Sequence, residues 1–195
     1  MSRADRERQM LDVAEEVFAE QGYRAASMDD IAVRVGVSKP MLYEYFGSKD
    51  GLLSACIARC RTDLYDATQE AMAQADSPED LLWRGLLAYF TFADRHAHAM
   101  QVMAQEPMVL PPAAAGAIEA TRRQQSGLAA ALLAGFAPDA PPLAVEAYAE
   151  IIIGACERVS LWRVRHPEVT AEEAARYVTD FSWRGLRDAA ARQGH

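Results

Sequence analysis

Apolar residues recur at helical spacing along the chain, and short breaks with capping residues separate the runs. From Arg3 to Gln21, apolar side chains return every three or four positions, and Gly22 stands where a left-handed C-terminal cap is expected. Ser27 fits the N-cap of a second helix, and Gly36 ends that helix. The first 36 residues are therefore predicted to form two helices.

A short third helix and a long fourth helix are predicted next. Ser38 is the N-cap of the third, and Pro40 is tolerated in its first turn because no intrahelical N–H bond is lost there. Gly47 breaks the pattern, and Ser48 begins a fourth helix that continues to about Ala75.

The remainder is also helical by pattern, with proline-rich breaks between the segments. The predicted helices cover about 78–94, a shorter stretch that ends at 105, 113–136, 143–165 and 170–192. Two apolar stripes are expected to pack on neighbouring helices: Val145, Tyr148, Ile152, Ala155, Val159 and Trp162 on one, and Ala174, Val178, Phe181 and Gly185 on the other. Because no segment alternates as a strand does, the predicted fold class is all-α.

Residues 27–46 carry the pattern of a helix-turn-helix, in which two short helices meet at a glycine turn. The positions predicted to face inward are Ile31, Ala32, Val35, Val37, Leu42 and Phe46. They brace the second helix so that its outer side chains can enter the major groove of DNA, where base edges are distinguishable. The alternative interpretation of this pattern is an ordinary corner between two packed helices.

At these positions the chain resembles the TetR family of transcriptional regulators. The matching residues are Ser27, Ile31, Ala32, Gly36, Val37, Ser38, Leu42, Tyr43, Phe46, Lys49 and Leu52. The resemblance implies an N-terminal three-helix DNA-binding head at 1–47, joined to a C-terminal helical bundle at 48–195 that binds ligand and dimerises. It also implies a homodimer formed largely by the last two helices, about 143–165 and 170–192, and a small-molecule effector.

The predicted DNA contacts lie around the second helix of this motif. They are Ser27, Ser38, Lys39, Pro40, Met41, Tyr43, Glu44, Tyr45 and Lys49. Lys39 is placed to reach a guanine edge or a phosphate, and the tyrosine hydroxyls suit phosphates. Glu44 departs from many relatives, which carry His or another uncharged residue there. Its carboxylate can accept from a cytosine amine or repel a phosphate, so the preferred operator stays open.

Charge and composition narrow the partners. The net charge of −8 argues against a protein that coats nucleic acid without selection, although both lysines of the chain, Lys39 and Lys49, lie in its first quarter. Solvated surface is the alternative role for each lysine. No apolar run approaches the roughly 20 residues of a membrane helix. The charged start at 1–8 predicts no secretory signal, and a cytoplasmic location is expected.

Candidate effector contacts are fewer and rest on residue type alone. They are Trp83, Phe90, Met100, Met103, Arg158 and Trp162, although aromatic and methionine residues at helical spacing are more often plain core. Cys56 and Cys60 share a helix face without a third ligand nearby, so buried packing is expected of them rather than metal binding. We expect no cofactor.

Three functions are compatible with these patterns. The first is a TetR-type repressor that binds a palindromic operator as a homodimer and is released by a small molecule. The second is a small-molecule-binding or sequestering helical dimer with a vestigial DNA-binding head. The third is a helical enzyme that uses carboxylates with His96, His98 or His166. We expect no enzyme, because these histidines lack catalytic spacing and the chain has no phosphate loop or nucleophile elbow.

Overall fold

The computed structural model describes residues 1–103, 110–136 and 140–193, with side chains except at 103, 136 and 188–193. Within these ranges the regular structure is helical and contains no strand, which confirms the all-α prediction. The helices are α1 Arg3–Ala25, α2 Met28–Val35, α3 Lys39–Phe46, α4 Lys49–Met72, α5 Pro78–Arg95, α6 Ala97–Met103, α7 Pro112–Phe136, α8 Pro142–Arg163 and α9 Ala171–Gln193.

Most of the predicted helix starts are confirmed by their hydrogen bonds. The Ser27 hydroxyl accepts from the Asp30 N–H at 3.1 Å, and the Ser48 hydroxyl accepts from the Gly51 N–H at 2.9 Å. Thr170 begins α9 in a full capping box, because the Glu173 carboxylate accepts from its N–H at 2.9 Å. Ser38 occupies the N-cap of α3 without a side-chain cap bond.

Gly22 differs from its prediction. It has the expected positive φ of 75°, but its ψ of 158° is extended, and α1 continues past it to Ala25. The helix continues because the Ala26 N–H bonds back to the Gly22 carbonyl at 3.2 Å, which closes one further turn. Gly22 therefore bends α1 instead of ending it.

The first compact unit consists of Met1–Thr62 and His96–Ala120. In its core, α1 packs against α2 and α6, and buried side chains of α4 join them. Half-buried Arg59 of α4 fastens this helix to α1, since its guanidinium lies 2.7 Å from both the Asp12 and the Glu15 carboxylates. This unit extends beyond residue 47 and includes a later segment. The functional division into 1–47 and 48–195 stays a prediction.

The second compact unit consists of Asp63–Arg95 and Thr121–His195, and in it α5, α8 and α9 pack together. In the predicted α8 stripe, Val145 and Ile152 are buried and the other four members are half-buried. In the predicted α9 stripe, Ala174 and Val178 are buried, but Phe181 is 79% exposed and Gly185 is exposed, so the prediction is wrong at these two positions. None of the helices in the described ranges has the length and apolar character needed to cross a membrane.

Candidate functional site

Helix α3 has an exposed outer face and is held to the protein by one buried side chain. Leu42 is fully buried and is the one buried residue of α3, whereas the residues predicted to face outward are exposed. These are Lys39, Pro40, Met41, Tyr43 and Glu44. A short helix held in this way leaves its outer side chains accessible to another molecule.

The turn before α3 depends on Gly36. Its φ of 79° and ψ of 36° are left-handed, and the N–H groups of Gly36 and Val37 both reach the Ala32 carbonyl at 3.0 Å. Half-buried Val37 packs on the core of the first unit. The turn therefore fixes the direction in which α3 leaves α2.

The turn after α3 contains a feature that sequence reasoning missed. Gly51 lies in the first turn of α4, and a Cβ there would overlap the carbonyl oxygen of Phe46. Only glycine lets α4 start this close behind α3. A glycine inside an otherwise helical pattern was the available signal.

Lys39 is exposed and paired. Its Nζ lies 2.8 Å from the Asp29 carboxylate at the start of α2, and both side chains are about half exposed. The hydrogen bond to Asp29 raises the pKa of Lys39. The Lys39 cation therefore lies at the start of α3, beside the Asp29 carboxylate.

Lys49 has a different environment. Its Nζ donates to the carbonyls of Tyr23 and Ala26 at 2.9 Å each, and it lies 4.4 Å from the centre of the Tyr23 ring. The Tyr23 hydroxyl bonds to Asp50, and burial together with that carboxylate raises the pKa of Tyr23 to about 12. The ammonium thus fastens the start of α4 to the end of α1, and the DNA contact predicted for Lys49 stays a prediction.

The remaining predicted contacts border the α3 face. Ser27 is half-buried, and its hydroxyl is used as the α2 cap. Ser38 is exposed at the start of α3. Tyr45 is half-buried, and the Arg3 guanidinium lies 4.9 Å from its ring centre. Tyr45 therefore belongs to the edge of the surface rather than to its exposed centre.

The second unit contains a cavity of about 110 Å³. Its walls come from α4, α5, α7, α8 and α9, and none of the lining residues in the described part of the chain is charged. Most are leucines, isoleucines and other apolar side chains, and polar atoms come from Thr68, Gln125, Tyr89 and Trp183. Burial, with a smaller contribution from Glu157, raises the pKa of the Cys156 thiol in the wall to about 12, so that thiol is neutral.

Comparison with known proteins assigns the family. The model described as "Bacterial regulatory proteins, tetR family" matches residues 10–56, and the model described as "Tetracyclin repressor-like, C-terminal domain" matches 78–185. The chain belongs to the TetR family of transcriptional regulators. The resemblance noted in the sequence is thereby confirmed, and the chain is a DNA-binding helix-turn-helix protein.

Individual TetR-family relatives agree with this assignment. A TetR-like transcriptional regulator from Rhodococcus sp. RHA1 has a solved structure that is 35% identical, with a TM-score of 0.81 over 96% of this chain and 98% of that one. The transcriptional activator FasR of Mycolicibacterium smegmatis is 33% identical over 61% of this chain, and the match spans 54% of FasR's length. The transcriptional repressor KstR2 of the same species is 30% identical over 53% of this chain and 50% of its own length.

The effector contacts suggested by residue type do not form the cavity of this TetR-family chain. Of the six, the five whose side chains are described are absent from its walls, and the Met103 side chain lies outside the described part. Phe90 is fully buried, Met100 belongs to the first unit, and Arg158 is exposed.

The two tryptophans among them are half-buried and contact other side chains. The Arg176 guanidinium lies 5.3 Å from the Trp83 ring centre, and Trp162 stacks on His166 at 4.4 Å. Residue type alone did not predict which residues line the cavity, because the walls consist mainly of aliphatic side chains from five helices.

Proposed function

We propose that this regulator is a homodimeric repressor that binds a palindromic operator through one α3 helix from each protomer and leaves it when a small molecule occupies the cavity. The observation that carries the proposal is the exposed outer face of α3, held in place by Leu42. Repression fits this arrangement, because an occupied operator blocks a promoter without any contact to the polymerase. The alternative is the sequestering dimer with a vestigial head.

The DNA contacts in this proposal centre on α3. Lys39 supplies the cation, the Tyr43 hydroxyl reaches a phosphate, and Pro40 and Met41 touch base edges or thymine methyl groups. Glu44 selects bases by accepting from a cytosine amine. Ser27, Ser38 and Tyr45 border this contact. Lys49 acts indirectly, because its ammonium already bonds to carbonyls at the end of α1.

Exposed apolar side chains on α8 and α9 support the homodimer. Phe181 is 79% exposed and Ile151 is 57% exposed, and Leu143, Leu161 and Tyr177 are exposed on the same two helices. Exposed apolar patches on one surface mark association sites, and most homodimers use the same patch on both subunits.

The dimer proposal is tested by size-exclusion chromatography with light scattering. Phe181→Glu should convert dimers to monomers. Val33→Glu is the matched control, since Val33 of α2 is also 79% exposed, and it should leave the dimer intact. A dimer that survives Phe181→Glu would place the interface elsewhere.

Effector release is proposed to operate through α4. This one helix contributes Thr68 and Met72 to the cavity wall, and its first residues hold the end of α1 through Lys49. A ligand that binds one position of α4 better than another shifts the protein toward that position. Each tenfold difference in that affinity is worth about 1.4 kcal/mol of coupling to DNA binding.

Selection of bound sequences from random duplex DNA tests the proposal as a whole. We expect an inverted repeat whose half-sites lie about one helical turn apart. A promoter reporter then gives the sign of regulation, and expression should rise when the gene for this protein is deleted. Lower expression would mean activation, as the name of FasR states for that relative. Failure to enrich any sequence, with ligand binding intact, would favour the sequestering dimer.

A further inference from the structure

We propose that the cavity of the second unit accepts compact, uncharged ligands that are mostly hydrocarbon, and that it rejects carboxylates and ammonium ions of the same size. The regulatory meaning of this specificity rests on the proposed function. The binding preference itself depends only on the walls of the cavity.

The described walls of the cavity are uncharged. Among the residues whose side chains the structure describes, no Asp, Glu, Lys, Arg or His lines the cavity. The wall is mainly aliphatic and includes Leu81, Leu82, Leu128, Leu132, Leu133 and Ile153. A charged ligand group would lose its water there and find no opposite charge, so the neutral form is strongly preferred.

The polar groups of the wall leave little to bind a polar ligand. The Thr68 hydroxyl lies 2.9 Å from the carbonyls of both Leu64 and Tyr65 in its own helix, and it is engaged there. The Cys156 thiol is a weak donor and is fully buried as a small apolar group. Gln125 contributes a neutral amide and Tyr89 a hydroxyl, and the buried Trp183 Nε1–H, which lacks a hydrogen-bond partner in the described structure, can donate one bond. A ligand with one hydroxyl or carbonyl group can therefore be accommodated, whereas a ligand with several polar groups cannot.

The size of the cavity sets the second limit. An apolar cavity of about 150 Å³ lined by similar side chains stays dry and binds benzene. The present cavity is somewhat smaller at about 110 Å³, and it is partly open. A single six-membered ring with a one-carbon substituent is thus the largest ligand expected, and seating it requires small movements of the flexible side chains in the wall. Gly85 helps to keep this space, because a Cβ there would come within 3.0 Å of the Met72 sulfur.

Three probes with the same ring separate charge from shape: benzyl alcohol, benzoate and benzylamine. Binding to the full-length protein is measured at pH 7 by calorimetry without DNA, where benzoate is an anion and benzylamine a cation. Benzyl alcohol should bind, and the two ions should bind at least about tenfold more weakly because their charges would be buried alone. Equal binding of benzoate, or no binding of benzyl alcohol at millimolar concentration, would overturn the proposal.

Variants locate the binding in this cavity. Ala129→Phe fills the cavity with a phenyl ring from α7 and should abolish binding of benzyl alcohol. Ala131→Phe on the exposed side of the same helix is the control and should bind normally. Gln125→Lys places a cation in the wall and should raise benzoate affinity about tenfold or more. Benzyl alcohol binding that persists in a folded Ala129→Phe protein would assign it to another site.

The regulatory role is measured separately. Benzyl alcohol is added to the complex with the selected operator, and DNA release is followed by fluorescence anisotropy. Binding without release would leave the ligand specificity standing and refute effector release in the proposed function. Release that persists in Ala129→Phe, whose filled cavity should not bind benzyl alcohol, would show that release does not act through this cavity.

Discussion

Replacing each of the two lysines of the chain by methionine should change a different property: stability for Lys49 and DNA binding for Lys39. Lys49 donates to the Tyr23 and Ala26 carbonyls at 2.9 Å each, and it lies over the Tyr23 ring. A hydrogen bond to a charged group contributes about 1.5–3 kcal/mol, and we discount the two for partial exposure. Lys49→Met should therefore lower the free energy of unfolding by about 2 kcal/mol, or the Tm by roughly 4–8 °C.

Lys39→Met should change DNA binding and leave stability nearly unchanged. Its ion pair with Asp29 is exposed at both ends, and such pairs contribute less than about 1 kcal/mol. If Lys39 neutralises one phosphate in each protomer, its loss reduces the slope of log affinity against log salt by about 0.9 per contact, or about 2 per dimer.

Two assays applied to both variants distinguish these roles. Urea unfolding gives stability, and operator titrations by fluorescence anisotropy at several salt concentrations give the slope. For Lys49→Met we expect a lower urea midpoint with an unchanged slope at temperatures where the protein is folded. The reasoning would be refuted if Lys49→Met kept wild-type stability and lost salt dependence, since Lys49 would then contact DNA.

Three further substitutions test the α3 surface. Leu42→Ala removes the one buried side chain of α3 and should cost about 2–5 kcal/mol in urea unfolding, with loss of operator binding; normal binding would show that α3 needs no anchor. Gly51→Ala should destabilise by about 1–3 kcal/mol because α4 must move from α3, whereas Gly116→Ala in open space should stabilise by about 0.5–1 kcal/mol; equal thermal shifts would contradict this. Asp29→Asn should tighten DNA binding several-fold more than Asp30→Asn, because the former carboxylate binds the α3 lysine; equal anisotropy titrations would count against the pairing.

Local sequence signals predicted the helices and the outer face of α3 because both depend on neighbours within a turn. Ser27 and Gly36 bond to residues three or four positions away, so spacing reveals them, and the helical period alone puts Leu42 on the inward side of α3. Gly22 shows the limit of such signals. Its positive φ was predictable, but the extra turn of α1 depends on a bond from Ala26 that spacing does not specify.

Features made by distant segments were not predictable. The role of Lys49 depends on the end of α1, more than 20 residues earlier, reaching the start of α4. The cavity walls need aliphatic side chains from five helices, and none of these residues is distinctive alone. Phe181 fits an inward stripe by spacing, but the inner face of α9 is filled by Ala174, Ala175 and Val178, which leaves Phe181 outside.

Site-specific crosslinking tests the central claim most directly, that the outer face of α3 touches DNA. Met41, exposed on that face, is replaced by benzoylphenylalanine, and Glu172, exposed at the start of α9, is replaced in a control protein. Both proteins are irradiated on the selected operator after titration has shown that they bind it. The account predicts covalent DNA adducts from position 41 and none from position 172. Full operator occupancy with no adduct at position 41, or with adducts at position 172 alone, would contradict it.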